Sequence, residues 1–375
     1  MDIVEPLPLL GGLSPQDFMR RHWQKKPLLI RQALPRGTKL LSRAQLFELA
    51  AYSEVESRLV VHDMPLGWRL RHGPIPRRAL PPLKQPGWTL LVQGIDLHVD
   101  AAHELLARFR FVPDARLDDL MISYASDGGG VGPHVDSYDV FLLQLEGRRR
   151  WRIAPVVDPT LVADVPLKIL ANFTPRQEWL LERGDMLYLP PGWAHDGVAQ
   201  GPCMTASIGF RAAGRTELCR EVLQRVIDAA EPPENEALYR DPAQPASVEP
   251  ARIPPALQAY AADAVTRALA DPKALACALG EYLSEPKPKV WFDAVAAAPG
   301  VGDMSLDART RMLYDAHFVF INGESFRASG RDARLMRRLA DARRLDAREV
   351  KRLSAEALDL LGQWIGAGWV RSQSP

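Results

Sequence analysis

Three residues of this 375-residue chain have the types and spacing for metal chemistry: His134 and Asp136, two positions apart, and His195, about sixty residues on. Side chains of an extended segment alternate with period two, so His134 and Asp136 point to one side. Two imidazoles and a carboxylate are the protein's usual contribution to a non-haem Fe(II) site, with the remaining coordination positions left open. A His-x-Asp triplet alone arises by chance in many large proteins. Context separates these residues from the other histidines, because each follows a Gly/Pro loop that brings backbone to a strand mouth. Residues 127–133 (DGGGVGP) precede His134, and residues 190–193 (PPGW) precede His195. No Ser/His/Asp nucleophile or general base is evident, so no catalytic residue is expected beyond the metal ligands.

Arg149 is the second informative residue. Alternation through residues 143–153 puts Gln144, Glu146, Arg148, Arg150 and Arg152 on one polar, solvated face. It puts Arg149 on the other with Leu143, Leu145, Trp151 and Ile153. A buried guanidinium is costly without an anion beside it, and arginine suits bidentate carboxylate recognition. The alternative is that Glu146-Gly147 makes a turn or bulge, the register slips and Arg149 faces out. Ser123, on the small-residue face of its strand with Met121 and Ala125, could add a hydroxyl to the same carboxylate or simply line a barrel. Ser207 stands similarly. Residues 127–133 lack the Lys-Ser/Thr of a phosphate loop and open no helix. They read as a flexible rim that lets substrate backbone approach, or as a plain surface turn.

The elements that position these residues read as short strands separated by turns. Ser14 and Ser42 look like helix caps. Strands are expected at 28–30, 58–62, 68–72, 88–92, 186–189 and 203–210, with a helix over 101–109. With no sustained β-α alternation, the class is α+β with an antiparallel barrel. After Arg211 the composition changes. Residues 215–229 read as a helix, 231–255 as a proline-rich linker, and 255–284 as two helices divided at Asp271-Pro272. A hairpin turning at Asn322-Gly323 and two further helices close the chain. From Arg327 to Arg352 ten Lys/Arg face four Asp/Glu, read either as solvated helix faces or as a patch for RNA.

Composition excludes several classes. Apolar content of 47% and charged content of 25% are ordinary for a soluble globular chain. A net charge of +1 gives no global pull toward nucleic acid, and direct nucleic-acid binding is not expected. Three scattered cysteines fit a reducing cytoplasm. No signal peptide or apolar run of membrane length is read.

The blocks at 22–30 (HWQKKPLLI), 128–153 (GGGVGPHVDSYDVFLLQLEGRRRWRI) and 184–199 (GDMLYLPPGWAHDGVA) resemble the JmjC-type cupin oxygenases, nearest the bacterial ribosomal oxygenases. The resemblance implies a JmjC-type double-stranded β-helix over 1–212, a helical dimerisation region over 213–300 and a winged-helix-like domain over 301–375. It puts His134, Asp136 and His195 at the metal positions and Arg149 at the 2-oxoglutarate carboxylate. It implies Fe(II) with 2-oxoglutarate and O2 as cosubstrates, and hydroxylation of a large-subunit ribosomal protein at an arginine β-carbon by a homodimer. Tyr138 and Asp127 are candidate substrate contacts by nearness alone. The alternatives are an oxygenase of another class (lysyl demethylase, histidyl hydroxylase or small-molecule hydroxylase), a non-oxygenase metal cupin, or a non-catalytic ribosome-binding module.

Overall fold

The computed structural model describes every residue except 1, 36, 64–66, 231–236, 295–301, 328 and 373–375. The chain divides into two compact units, Met1–Ala212 and Ala213–Pro375.

The first unit is built on an antiparallel sheet of β1 (Leu28–Ile30), β2 (Ser57–Asp63), β3 (Gly67–His72), β4 (Trp88–Val92), β5 (Leu117–Ala125), β6 (His134–Val135), β7 (Val140–Pro155), β8 (Gln177–Leu181), β9 (Met186–Leu189) and β10 (Trp193–Phe210). Its order is β1-β9-β7-β10-β5-β4-β2-β3, with β6 added to β10 and β8 to β7. The α+β class and antiparallel barrel read from the sequence are what the chain adopts. Helices α1 (Pro15–Arg21), α2 (Arg43–Leu49) and α3 (Asp100–Ala107) cover one face. The Ser14 hydroxyl accepts from the Asp17 N–H, and Ser42 makes a capping box with Gln45.

Strands β7 and β10 are the hub, 16 and 18 residues long. Each changes neighbours part-way. Val140–Leu143 of β7 pair with β9, and Arg149–Ile153 pair with β8. Ala194–His195 of β10 pair with β6, and residues from Cys203 onward pair with β5. The change falls at glycines: Gly147 and Gly201 have φ of +65° and +72°, and the β7–β10 register shifts between Gln200 and Met204. A Cβ at position 147 would collide with the Pro202 carbonyl oxygen, so only glycine fits this bulge.

The bulge inverts strand parity and corrects the expected faces. Before it, Phe141, Leu143 and Leu145 pack toward the helices with Phe18, Leu46 and Tyr188. Val140 and Leu142 instead share the barrel interior with Trp151, Ile153, Leu181 and Leu187. Leu143 and Leu145 therefore lie opposite Arg149, and Gln144 is buried rather than solvated. The register slips as the alternative supposed, but the slip brings Arg149 in, because even-numbered positions face inward before the bulge.

The second unit opens with α4 (Arg215–Asp228), α5 (Pro255–Ala268) and α6 (Pro272–Ser284). There follow β11 (Met304–Leu306), β12 (Met312–Tyr314), β13 (Phe318–Ile321), β14 (Glu324–Arg327), α7 (Gly330–Ala342), β15 (Arg344–Leu345), α8 (Ala347–Val350), α9 (Ala355–Gly366) and β16 (Val370–Ser372). Two three-stranded sheets, β15-β11-β16 and β12-β13-β14, share a core with Leu335, Leu339, Leu361 and Trp364. The β13–β14 hairpin turns at Asn322 and Gly323, both at positive φ. Of the proline-rich stretch expected as a linker, residues 231–236 lie outside the described residues, and 237–254 carry no helix or strand. Part of the basic C-terminal run is used within the unit. Arg338 pairs with Glu349, and Arg343 donates to the Asp307 and Thr310 carbonyls.

Candidate metal centre

Pairing of β6 with β10 makes His134 and His195 direct cross-strand partners. Their rings lie 4.2 Å apart between centroids. Asp136 follows two residues on, its Oδ2 3.7 Å from His195 Nε2. One ligand atom from each of the three lies within 4.8 Å of the others, the one such cluster found among the described residues. That spacing suits donors converging on one ion at about 2.0–2.2 Å each.

The chain also sets which nitrogen is offered. His134 Nδ1 lies 2.9 Å from the Gly132 carbonyl, and His195 Nδ1 lies 3.1 Å from the Trp193 carbonyl. A carbonyl can only accept, so each Nδ1–H donates and each Nε2 keeps its lone pair for a metal. Both carbonyls sit two residues upstream, at the end of the Gly/Pro loop. Burial of the His195 ring, 2% exposed, and the neighbouring His134 hold its pKa below the usual imidazole value, against the pull of Asp136.

Arg149 is 5% exposed, opposite Ala199 and Leu181 in the barrel wall. Its Nε and Nη2 are buried with no hydrogen-bond partner. Its guanidinium lies 5.7 Å from the Trp151 ring, and Trp151 lies 5.8 Å from the His195 ring. The indole thus neighbours both the cation and the metal face. Gly197 makes room for it, since a Cβ there would stand 2.6 Å from Trp151 ring atoms. Arg148 and Arg150 are exposed, and Arg152 pairs with Asp196.

The other expected residues are placed as follows. Ser123 is buried on the interior face of β5, but its hydroxyl donates to the Thr205 carbonyl at 3.4 Å and makes no hydrogen bond to Arg149. Ser207 lies opposite Met121 and Leu142. The Asp127 Oδ1 accepts from the Gly201 N–H at 2.7 Å and so secures the turn inside β10. The loop after it is packed against the protein's own backbone. Gly128 and Gly129 exchange hydrogen bonds with Ala199, and a Cβ at Gly130 would stand 2.7 Å from the Gly197 carbonyl. Close approach to this chain, rather than to substrate, accounts for Gly129 and Gly130, and a φ of +68° for Gly128.

Tyr138 is 40% exposed beside the cluster. Desolvation of its hydroxyl and the carboxylates of Asp136 and Asp119 push its phenol well above the usual value. Asp119 was missed in the sequence. It is buried and accepts from the Gly94 N–H, on the same strand as Met121 and Ser123. Extending their alternation back one step would have found it. Alternation placed Trp151 on the Arg149 face, but its nearness to His195 depends on Gly197 across the sheet.

The JmjC domain family matches residues 104–218, and the ROXA-like winged helix family matches residues 267–371. The chain is 38% identical over 248 residues to the ribosomal protein uL16 3-hydroxylase of Escherichia coli. That stretch covers 63% of this chain and 62% of the relative, a little under two thirds of its length. The X-ray structure of Escherichia coli YcfD matches with a TM-score of 0.84 and 30% identity, over 96% of this chain and 98% of that one. A structure of the same ribosomal oxygenase in complex with cobalt and 2-oxoglutarate matches at 0.80 and 30%, over 96% and 99%.

Proposed function

This chain belongs to the JmjC-type ribosomal oxygenases, and we propose that it is an Fe(II)- and 2-oxoglutarate-dependent dioxygenase that hydroxylates a large-subunit ribosomal protein at an arginine β-carbon. The observation that carries the reading is the buried, unpartnered Arg149 guanidinium beside Trp151, which also neighbours a three-donor metal face. A cation desolvated without a partner is expensive, and an anionic cosubstrate offsets that cost.

When bound, iron with 2-oxoglutarate and O2 would supply the oxidising power: one oxygen atom of O2 ends in succinate as CO2 is released, and the other is inserted into a C–H bond. His134 Nε2, His195 Nε2 and Asp136 would hold the iron. The free Arg149 donors would take the far carboxylate of 2-oxoglutarate, and the Trp151 indole would line that pocket. Asp119 and Tyr138 would receive the substrate guanidinium, one by charge and the other by its ring face. Asp127 remains at the rim, with its carboxylate committed to Gly201.

Oligomeric state and location belong to the same proposal. Helix α5 has no buried residue within its own chain and exposes Leu257, Tyr260 and Val265, which supports a homodimer through the 213–300 region. A ribosomal substrate implies work in the cytoplasm. No helix among the described residues is long and apolar enough to cross a membrane.

The test is mass spectrometry of ribosomal proteins incubated with the protein, Fe(II) and 2-oxoglutarate. A gain of one oxygen on a single arginine, with matching succinate, is expected. A chelator or His134→Ala should abolish both. Succinate release with no modified ribosomal protein would favour another substrate class, and no succinate with any substrate would remove the oxygenase reading.

A further inference from the structure

Residues 67–95 take little part in the site. They hold five of the 47 Lys and Arg (Arg69, Arg71, Arg77, Arg78 and Lys84) and none of the 46 Asp and Glu. In a chain of net charge +1 this segregation makes a local positive field that the total hides. The structure puts the stretch at an edge, since β3 is the outermost strand and pairs with β2 alone. All five side chains are exposed. Among the described residues only Arg69 has a carboxylate within ion-pair reach, Asp63 at 3.8 Å. Exposed Arg43 extends the patch: Arg43 lies over the Tyr124 ring and Arg77 over the Phe47 ring, and those rings pack edge to face.

The other face of β3 turns toward the metal centre. The Trp68 ring packs so closely on Gly132, two residues before His134, that a Cβ there would stand 3.1 Å from it. Trp68 also stacks on the exposed His62 ring, with centroids 4.1 Å apart and planes within 11°. One strand therefore carries two exposed arginines, Arg71 without a carboxylate in reach, on one side and a partly open aromatic stack on the other, at the rim of the site.

We propose that β3 and the turn through Lys84 form an RNA-binding surface that holds the RNA on which the ribosomal-protein substrate sits while the target arginine enters the metal centre. The substrate half of this inference rests on the function proposed above; the RNA contact does not. Unpaired guanidinium groups match phosphate oxygens in pairs, and a stacked aromatic pair offers a face to an unpaired base. A bilayer would call for large apolar side chains between the arginines, and a protein partner would call for an apolar centre. Among the described residues of this stretch, no large hydrophobic side chain is exposed. Ribosomal proteins are themselves basic, so the patch repels the free substrate and favours the one already neutralised by RNA.

The test uses the full-length protein and a fluorescent single-stranded ribosomal RNA of about 20 nucleotides, followed by anisotropy across a salt series. Wild type should bind, with affinity falling as salt rises. The triple variant R71E/R78E/K84E should bind at least about tenfold more weakly, with the salt slope shallower by about 2. The neutral variant R71Q/R78Q/K84Q, which removes the positive charges without adding negative ones, should fall between them. Turnover of a short arginine peptide should be equal in all three, while turnover of the ribosomal protein bound to its RNA should drop with RNA affinity. Equal RNA binding by wild type and both variants would overturn the proposal. So would competition by poly-glutamate as effective as by RNA, or preferential capture by phosphatidylserine vesicles. Normal RNA binding without peptide turnover would instead count against the proposed hydroxylase activity and leave the RNA surface standing.

Discussion

Arg149 shows how one side chain can cost stability until its ligand arrives. Its Nε and Nη2 are buried and unsatisfied, so the protein without cosubstrate carries a desolvated cation. Arg149→Met should therefore have two opposite effects. The cosubstrate-free protein should melt a few degrees higher, by roughly 1–3 kcal/mol. The 2-oxoglutarate-induced rise in melting temperature should vanish, and KM for 2-oxoglutarate should climb by about a hundredfold or more, because a charge-assisted pair worth several kcal/mol is gone. Thermal shift with and without 2-oxoglutarate reads both. A variant that is destabilised without cosubstrate yet still responds to 2-oxoglutarate would show that the guanidinium is structural. The metal face itself was legible in the sequence, because loop chemistry and period two act within a few residues of His134 and His195. Asp119 was not read, because the alternation was stopped at Met121, and Trp151 was placed beside Arg149 but not beside His195, because Gly197 opposes it from another strand.

At the scale of elements, the bulge at Gly147 decides what faces the interior. Simple alternation gave the right answer for Arg149 by a wrong route, since it carried Leu143 and Leu145 to the same side. The structure sends those two to the helix-covered core and Leu142 to the barrel. The inversion depends on the Pro202 carbonyl, more than fifty residues away in the chain, so no local pattern announces it. Gly147→Ala should thus strain a positive-φ position and press a methyl group on that carbonyl. We expect a loss of roughly 2–4 kcal/mol in a denaturant titration, with weaker 2-oxoglutarate binding in the fraction that folds. Gly192→Ala is the control: its φ is also positive, but nothing lies within 4 Å of the added Cβ, so the loss should be smaller. Equal losses would show that backbone strain alone matters at position 147. The helix caps and the Asn322-Gly323 hairpin were read directly, because each is chemistry of adjacent residues. The β15-β11-β16 sheet was not, since strands of two or three residues have no period to detect.

At the scale of the whole molecule, the two units close separate cores. One is gathered from residues of the first unit around Phe18, Trp88 and Phe141, and the other from residues 304–370 around Leu339 and Trp364. The second contains Asp307, which is 2% exposed and takes hydrogen bonds from Arg309 and Arg371. Burial raises its pKa, but the Arg309 side chain and backbone N–H, with Arg371, outweigh it and hold the carboxyl below its ordinary 3.8. A depressed folded pKa contributes stability that is complete above 3.8 and is lost as pH falls through the lower folded value. Asp307→Asn should remove on the order of 2 kcal/mol at neutral pH and flatten that acid dependence. Two closed cores also mean that heat should be absorbed in two separate endotherms rather than one. A calorimetric scan should then show the second unit's peak moving to lower temperature in Asp307→Asn, while the first stays in place and moves instead with 2-oxoglutarate and metal.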